Sequence, residues 1–161
     1  MLFNNLNFTS TDSKFIDDNS IDSVMNKYKI IFFFKKLKKK INLSDVIKGN
    51  FISTSSVIVS KNFISKFDEN KDFIGVEDMF LWMKILNDKN VRYKYIAKKL
   101  IKYRISSTSL SERGANQKQA IKANLCILKF ILDNQKFDYI KYFYIRIIKF
   151  GFIYFIKKII K

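Results

Sequence analysis

The chain has 161 residues, room for one domain with a real core and no need of a disulfide or metal staple. A hydrophobic fraction of 48% and an aromatic fraction of 16% exclude global disorder even at a formal net charge of +17. Histidine is absent, which excludes Ser-His-Asp and Cys-His catalysis and every His-based zinc site, and the single cysteine, Cys126, cannot form an internal disulfide.

The excess of 31 Lys and Arg over 14 Asp and Glu draws polyanions: nucleic acid, anionic lipid or phosphorylated substrates. Lys, Asn, Ile and Phe abound while Pro is absent and Gly occurs only four times, the bias expected of AT-rich coding, which would account for part of the charge. The opening "MLFNNLNFTSTDSKF" lacks a basic region followed by an apolar core, so no signal peptide is expected. The most apolar stretch, near residue 161, is interrupted by Arg146, Lys149, Lys157 and Lys158, so no spanning helix is expected either. A reducing compartment follows as the expectation: the cytoplasm, or the inner face of the plasma membrane for a peripheral protein.

In chain order, residues 1–20 mix polar residues with spaced apolars (Leu6, Phe8, Phe15, Ile16), which predicts a short strand and turns at "DDNS". The lysine cluster at 35–40 reads as a solvated basic loop or helix face, and a helix is predicted to open at Ser44. "NFISTSSVIVSKNFI" predicts a strand over 51–60 leading into a short helix, although the hydroxyl run 53–56 is crowded for a strand. A polar turn, "FDEN", then precedes a helix in which Leu81, Trp82, Ile85 and Leu86 fall at helical spacing from Asp78. Glu77 and Asp78 thus occupy the first turn, at the positive end of the helix dipole. On their own they need be no more than helix-start charges, worth about 0.3–1 kcal/mol.

Beyond that helix, "VRYKYIA" and "KLIKYRI" read as two strands joined by a lysine turn, followed by a hydroxyl-rich loop, "SSTSLSERG". From about residue 116 two long helices are predicted, with Cys126 in the apolar "ANLCILKFIL" as a buried small side chain. In the second, basic, aromatic and aliphatic residues interleave. Two readings stay open: a helix pair lying on an anionic membrane, or an ordinary pair packed on the sheet with its lysines in water.

The ordered series "GNFISTSSVIVSK", "FDEN", "VEDMFLWMKI" and "YRISSTSLS" resembles the C-terminal half of the GT-A family-2 glycosyltransferases of bacterial polysaccharide type, over about residues 42–111. The resemblance implies an α/β fold: an incomplete GT-A, Rossmann-like domain of few strands with flanking helices over 1–115, followed by a basic aromatic helical tail over 116–161. It implies an inverting sugar transfer from a nucleotide-sugar donor to a saccharide or lipid-linked acceptor, in surface polysaccharide synthesis. Asp78 matches the family's catalytic base, which takes the acceptor hydroxyl proton, and Glu77 the residue that holds the acceptor. Trp82 matches the "LW" position beneath the site, and Arg104 the guanidinium at the diphosphate. Ser109 and Ser111 match its "S.S" loop, and Ser55 and Ser56 its small-residue strand near donor or acceptor.

Two positions depart from the family pattern: Ser106 stands where many members carry His, and Lys66 where a Gly often precedes "FDE". The largest departure is that the nucleotide-binding half, with its metal-binding Asp motif, has no counterpart. The divalent cation (Mg or Mn) of the complete family enzyme therefore has no ligand motif here, and Asp17 and Asp18 resemble a turn beyond that motif. The expectation is a chain incompetent alone, which a separate N-terminal half would complete, and a sheet with an unpaired apolar edge where the absent strands belong. The alternative class is a small basic protein binding an anionic membrane or, less favoured for want of a reader motif, nucleic acid.

Overall fold

The structure, a computed structural model, describes residues 6–16, 41–50, 52–63, 66–104 and 117–159. It is a mixed α/β arrangement of a three-stranded sheet and four helices, compatible with an incomplete Rossmann-like domain. The strands are β1 (Phe8–Ile16), β2 (Val57–Val59) and β3 (Tyr93–Arg104), in the order β2-β1-β3. The helices are α1 (Leu43–Lys48), α2 (Glu77–Asn87), α3 (Gln117–Asp133) and α4 (Ile140–Ile159).

The central strand is polar, and its neighbours explain how that is tolerated. β1 pairs antiparallel with β2, Phe8 opposite Val59, and parallel with β3, Phe8 opposite Tyr93 and Ile16 opposite Arg104. Buried Ser10 shares a 2.6 Å hydrogen bond with the Tyr93 hydroxyl, whose pKa burial pushes up to about 12 despite that bond. The Ser13 amide donates to Asp12 Oδ1 at 3.0 Å. Each buried polar group so paired avoids a desolvation cost of about 1–3 kcal/mol.

Three sequence expectations are corrected here. The two runs at 91–97 and 99–105 are one continuous strand: the register against β1 jumps from Thr11–Ile96 to Asp12–Lys99 and again to Ser13–Ile101, so the lysine pair Lys98 and Lys99 sits at a bulge and not in a turn. The strand expected over 51–60 is reduced to Val57–Val59, because the hydroxyl run makes a 3-10 turn, Thr54–Ser56, in which Ser56 Oγ donates to the Ser53 carbonyl at 2.7 Å. Helix α1 opens on Asn42 and not on Ser44: Asn42 Oδ1 accepts from the Asp45 amide at 3.1 Å while Asp45 Oδ2 accepts from the Asn42 amide at 3.2 Å, a reciprocal cap.

Exposed apolar side chains occur on both edge strands, Ile58 of β2 at 76% and Leu100 of β3 at 63%. The outer positions of β3 carry Lys94, Lys98, Lys99 and Lys102, charges that discourage edge-to-edge pairing. Residues 35–40, Asp17, Asp18, Ser106, Ser109 and Ser111 lie outside the described residues.

The core is built around α2. Met79, Phe80, Leu81, Trp82, Met83 and Ile85 are all buried, so this helix is apolar most of the way round, as befits one enclosed by other elements. Trp82 stacks on Phe8 at 5.5 Å between ring centroids, and Phe8 in turn meets Tyr93 at 4.7 Å, joining α2 to two strands. α1 and α3 pack against α2, and α4 packs against α1 and α3.

A cation is buried among these helices. Arg146 of α4, 6% exposed, donates from Nε to Asn124 Oδ1 at 3.0 Å and from Nη1 to the Ile47 carbonyl at 3.5 Å, and its guanidinium lies 4.6 Å from the Phe150 ring centroid. Burial lowers its pKa to about 10, so it stays charged at neutral pH, with no described carboxylate paired to it. It ties α4 to the C-terminal end of α1, where helix carbonyls lack intrahelical partners. Arg146→Ala, which leaves a cavity and an unpaired carbonyl, is expected to cost about 2–4 kcal/mol. Arg146→Met keeps the volume and removes a desolvated charge, and should cost less than half as much. Urea midpoints of the two variants make the comparison; equal losses would assign the stabilisation to the charge.

Candidate functional site

The chain approaches α2 through a relay of side-chain hydrogen bonds to its own backbone. Asp68 Oδ1 accepts from the Asn70 amide at 3.0 Å and Asn70 Oδ1 from the Asp72 amide at 2.9 Å, which starts the 3-10 turn Lys71–Phe73. The Val76 amide then donates to the Phe73 carbonyl at 2.8 Å. Gly75, with φ +89°, makes the last reversal in a left-handed conformation. The "FDEN" segment is thus the ramp that sets where α2 begins.

Val76 is the N-cap residue of α2 and offers no side-chain cap. The two carboxylates take over that task. Glu77 Oε2 accepts from the Gly75 amide, turning the side chain back over the reversal. Asp78 Oδ1 accepts from the Met79 amide at 2.6 Å, and Asp78 Oδ2 accepts from Thr54 Oγ1 at 3.0 Å.

Asp78 is therefore held from two sides, by its own helix and by the turn that precedes β2. Its pKa is raised above the ordinary 3.8, first by desolvation, with a smaller push from the Glu77 charge. The Thr54 hydroxyl and the amides of Met79 and Asp78 oppose that rise without cancelling it. Each carboxylate oxygen has two lone-pair sites, so Oδ2 retains capacity for a second donor beside Thr54. A carboxylate held in place, with spare acceptor capacity and a raised proton affinity, is equipped to take a proton from a hydroxyl.

The other residues singled out from sequence fall at different depths. Ser55 is exposed in the turn beside Thr54, whereas Ser56 is buried with its hydroxyl committed to Ser53. Trp82 is 3% exposed and lies under the site, in the core, with Nε1 buried and without a hydrogen-bond partner. Arg104 is exposed at the end of β3 beside Ile16, at the opposite end of the sheet from Phe8 and Tyr93. The structure thus brings Thr54, Ser55, Glu77 and Asp78 together.

Two participants were not singled out from sequence. Thr54 belongs to the crowded hydroxyl run, which was the available signal. Gln119 of α3 donates to the Ile74 carbonyl at 3.5 Å, and its amide occupies the space a Cβ on Gly75 would need. Lys122 of the same helix reaches the Lys71 carbonyl at 3.4 Å, so α3 braces the ramp at two points. Cys126, fully buried, has its thiol pushed up to about 12, chiefly by burial and then by the Asp78 charge, which removes it as a nucleophile. Among the described residues no group of three or more Cys, Asp or Glu is placed to hold a metal ion.

Gly75→Ala is expected to cost about 1–2 kcal/mol from the left-handed φ alone, with the collision against Gln119 added. Combining it with Gln119→Ala should recover the collision and leave the conformational cost, as read from the urea midpoints of the two single variants and the double. For Asp78 the sign follows from linkage. A carboxyl whose folded pKa exceeds its unfolded one contributes stability that is complete below the unfolded value, near 3.8, and lost as pH rises through the folded value. Asp78→Asn should therefore melt higher than the parent chain at neutral pH, and its advantage should disappear in acid; thermal melts across the pH range check both.

Comparison with known proteins bears on what this carboxylate serves. No family model matches the chain, and no solved structure matches it. Among curated proteins it is 26% identical over 134 residues to the UDP-Glc:alpha-D-GlcNAc-diphosphoundecaprenol beta-1,3-glucosyltransferase WfgD of Escherichia coli. The match takes in 83% of this chain and 47% of that enzyme, so the chain spans about half the length of the relative. The chain is, on this similarity, related to a glycosyltransferase.

Proposed function

We propose that this chain is the acceptor-side half of an inverting family-2 glycosyltransferase of GT-A type, with Asp78 as the base that deprotonates the acceptor hydroxyl. The observation that carries the reading is the Thr54–Asp78 hydrogen bond of 3.0 Å, which holds a carboxylate of raised pKa at the mouth of α2. Glycosyl transfer with inversion needs one such group on the acceptor side.

The donor is a nucleotide sugar and the acceptor a saccharide on a lipid diphosphate, by analogy with the substrates in the name of the E. coli relative; UDP-glucose is the first donor to test. Nucleotide and cation binding belong to a further α/β half, supplied by additional sequence of the same polypeptide or by a separate chain. Glu77 steadies the Gly75 reversal from which Asp78 projects and faces the acceptor; Ser55 lines the approach. Trp82 supports the floor, and Arg104 with Ser109, by the sequence resemblance, meets the departing diphosphate.

The test is sugar transfer by this chain joined with its nucleotide-binding half, using radiolabelled donor. Asp78→Asn should reduce turnover by at least about a thousandfold while donor affinity changes little; retained turnover refutes the base assignment. The acid limb of the pH–rate profile should lie above the ordinary carboxylate value of 3.8. Thr54→Val removes a hydrogen bond that lowers that pKa, so it should move the limb to still higher pH, with a loss in turnover of about tenfold.

A further inference from the structure

Helices α3 and α4 are apolar on two opposite sides. On α3 the core side carries Ala123, Cys126, Ile127, Phe130 and Ile131, all buried. Diametrically opposite, at spacings of four and seven residues, Ile121, Leu125 and Leu132 form a row that is more than half exposed, Leu132 at 61%. On α4 the core side carries Phe143 and Arg146, Ile140 and Ile147 lie at its flank, and the outer side presents Tyr144, Ile145 and Ile148, with Ile148 71% exposed. Phe137, in the turn between the helices, is 57% exposed. Since α3 packs on α2, and α4 on α1 and α3, both outer rows look away from the body of the domain.

A solvated surface helix would place its lysines on that outer side. On α3 they flank it, Lys118, Lys122 and Lys129 running along one side of the row; on α4 Lys149 stands at the edge of the row and Lys141 within it. Over residues 117–161 there are ten Lys and Arg against two Asp. No helix among the described residues is long and apolar enough to cross a membrane. The pattern of an apolar row rimmed by cations fits a helix lying in the plane of a bilayer, its aliphatic side chains among the acyl chains and its lysines at lipid phosphates.

We propose that the outer side of the α3–α4 hairpin docks on an anionic lipid bilayer, with Leu125, Leu132, Tyr144 and Ile148 as its inserting residues. Charge selects this occupant over a second copy of the chain. A symmetric dimer through the same rows would bring two basic hairpins, and two chains of +17 each, into contact, whereas anionic headgroups neutralise the rim. The surface lies outside the Thr54–Asp78 site, and its test is separate from transfer chemistry.

The experiment is flotation of the full chain with phosphatidylcholine vesicles containing phosphatidylglycerol, against pure phosphatidylcholine vesicles, at about 0.15 M salt. The chain should float with the former and remain behind with the latter. The double variant Leu132→Asp/Ile148→Asp replaces exposed side chains only, so its far-UV circular dichroism should match the parent while its partition falls at least about tenfold. Absence of flotation with the anionic vesicles overturns the proposal. Undiminished flotation of the double variant overturns it as well, since attraction would then be a matter of charge alone. A concentration-dependent dimer in sedimentation that Ile148→Asp splits, without flotation, would assign the rows to a second copy and also refute the bilayer.

Discussion

The contact between Trp82 and Phe8 is what the remaining structure depends on. It fastens the most apolar helix to the central strand, and the strand is otherwise a poor anchor because Thr9, Ser10, Thr11, Asp12 and Ser13 offer hydroxyls and a carboxylate where a core would want aliphatics. Phe8 compensates by touching both Trp82 and Tyr93, and Tyr93 reaches on to Ser10. A row of rings thus does for this sheet what interleaved Val and Ile do for others, with aromatic pairs adding about 0.5–1.5 kcal/mol each beyond burial. The position of Asp78 follows, since it lies one turn before Trp82 on the same helix and cannot move independently of it.

Fixing α2 would be of little chemical use if its first turn were free to fray. The N-cap residue is Val76, which cannot cap, so the helix start rests on carboxylates that bind backbone amides and on α3, whose Gln119 and Lys122 hold the preceding ramp. The burial that raises the Asp78 pKa comes from the same packing. Stability and proton affinity are coupled at this position: the elements that keep the carboxylate in place are those that strip it of water.

Much of this was legible in the sequence, for reasons that differ by element. The spacing of Leu81, Trp82, Ile85 and Leu86 announces α2, and apolar periodicity announces α3 and α4, because a helix repeats a local pattern over several turns. β3 was misread as two strands because Lys98 and Lys99 resemble turn residues, whereas a bulge absorbs them and the pairing resumes. The hydroxyl run 53–56 resembled a strand by β-branching alone, yet Ser and Thr also bond their own backbone, and that competition gave a 3-10 turn. Asp78 could be named from its neighbours in sequence. Thr54 could not, because a hydrogen bond spanning 24 residues leaves no local trace. Nor could the second apolar side of α3 and α4, since periodicity reports that a helix has an apolar stripe without reporting which stripe the core takes.

The bracing of Gly75 by Gln119 has a consequence for how the site comes into being. The ties around Asp78 join residues far apart along the chain: Thr54 to Asp78, Ile74 to Gln119, Lys71 to Lys122, with separations of 24, 45 and 51 residues. Each requires a loop to be closed before it contributes anything, whereas the turns of α2 need only their own neighbours. A peptide carrying "VEDMFLWMKI" would possess both carboxylates and could form helix, yet would lack the reversal, the hydroxyl and the burial that distinguish Asp78 from an ordinary aspartate. The local motif names the residue; its chemistry is a property of the closed chain.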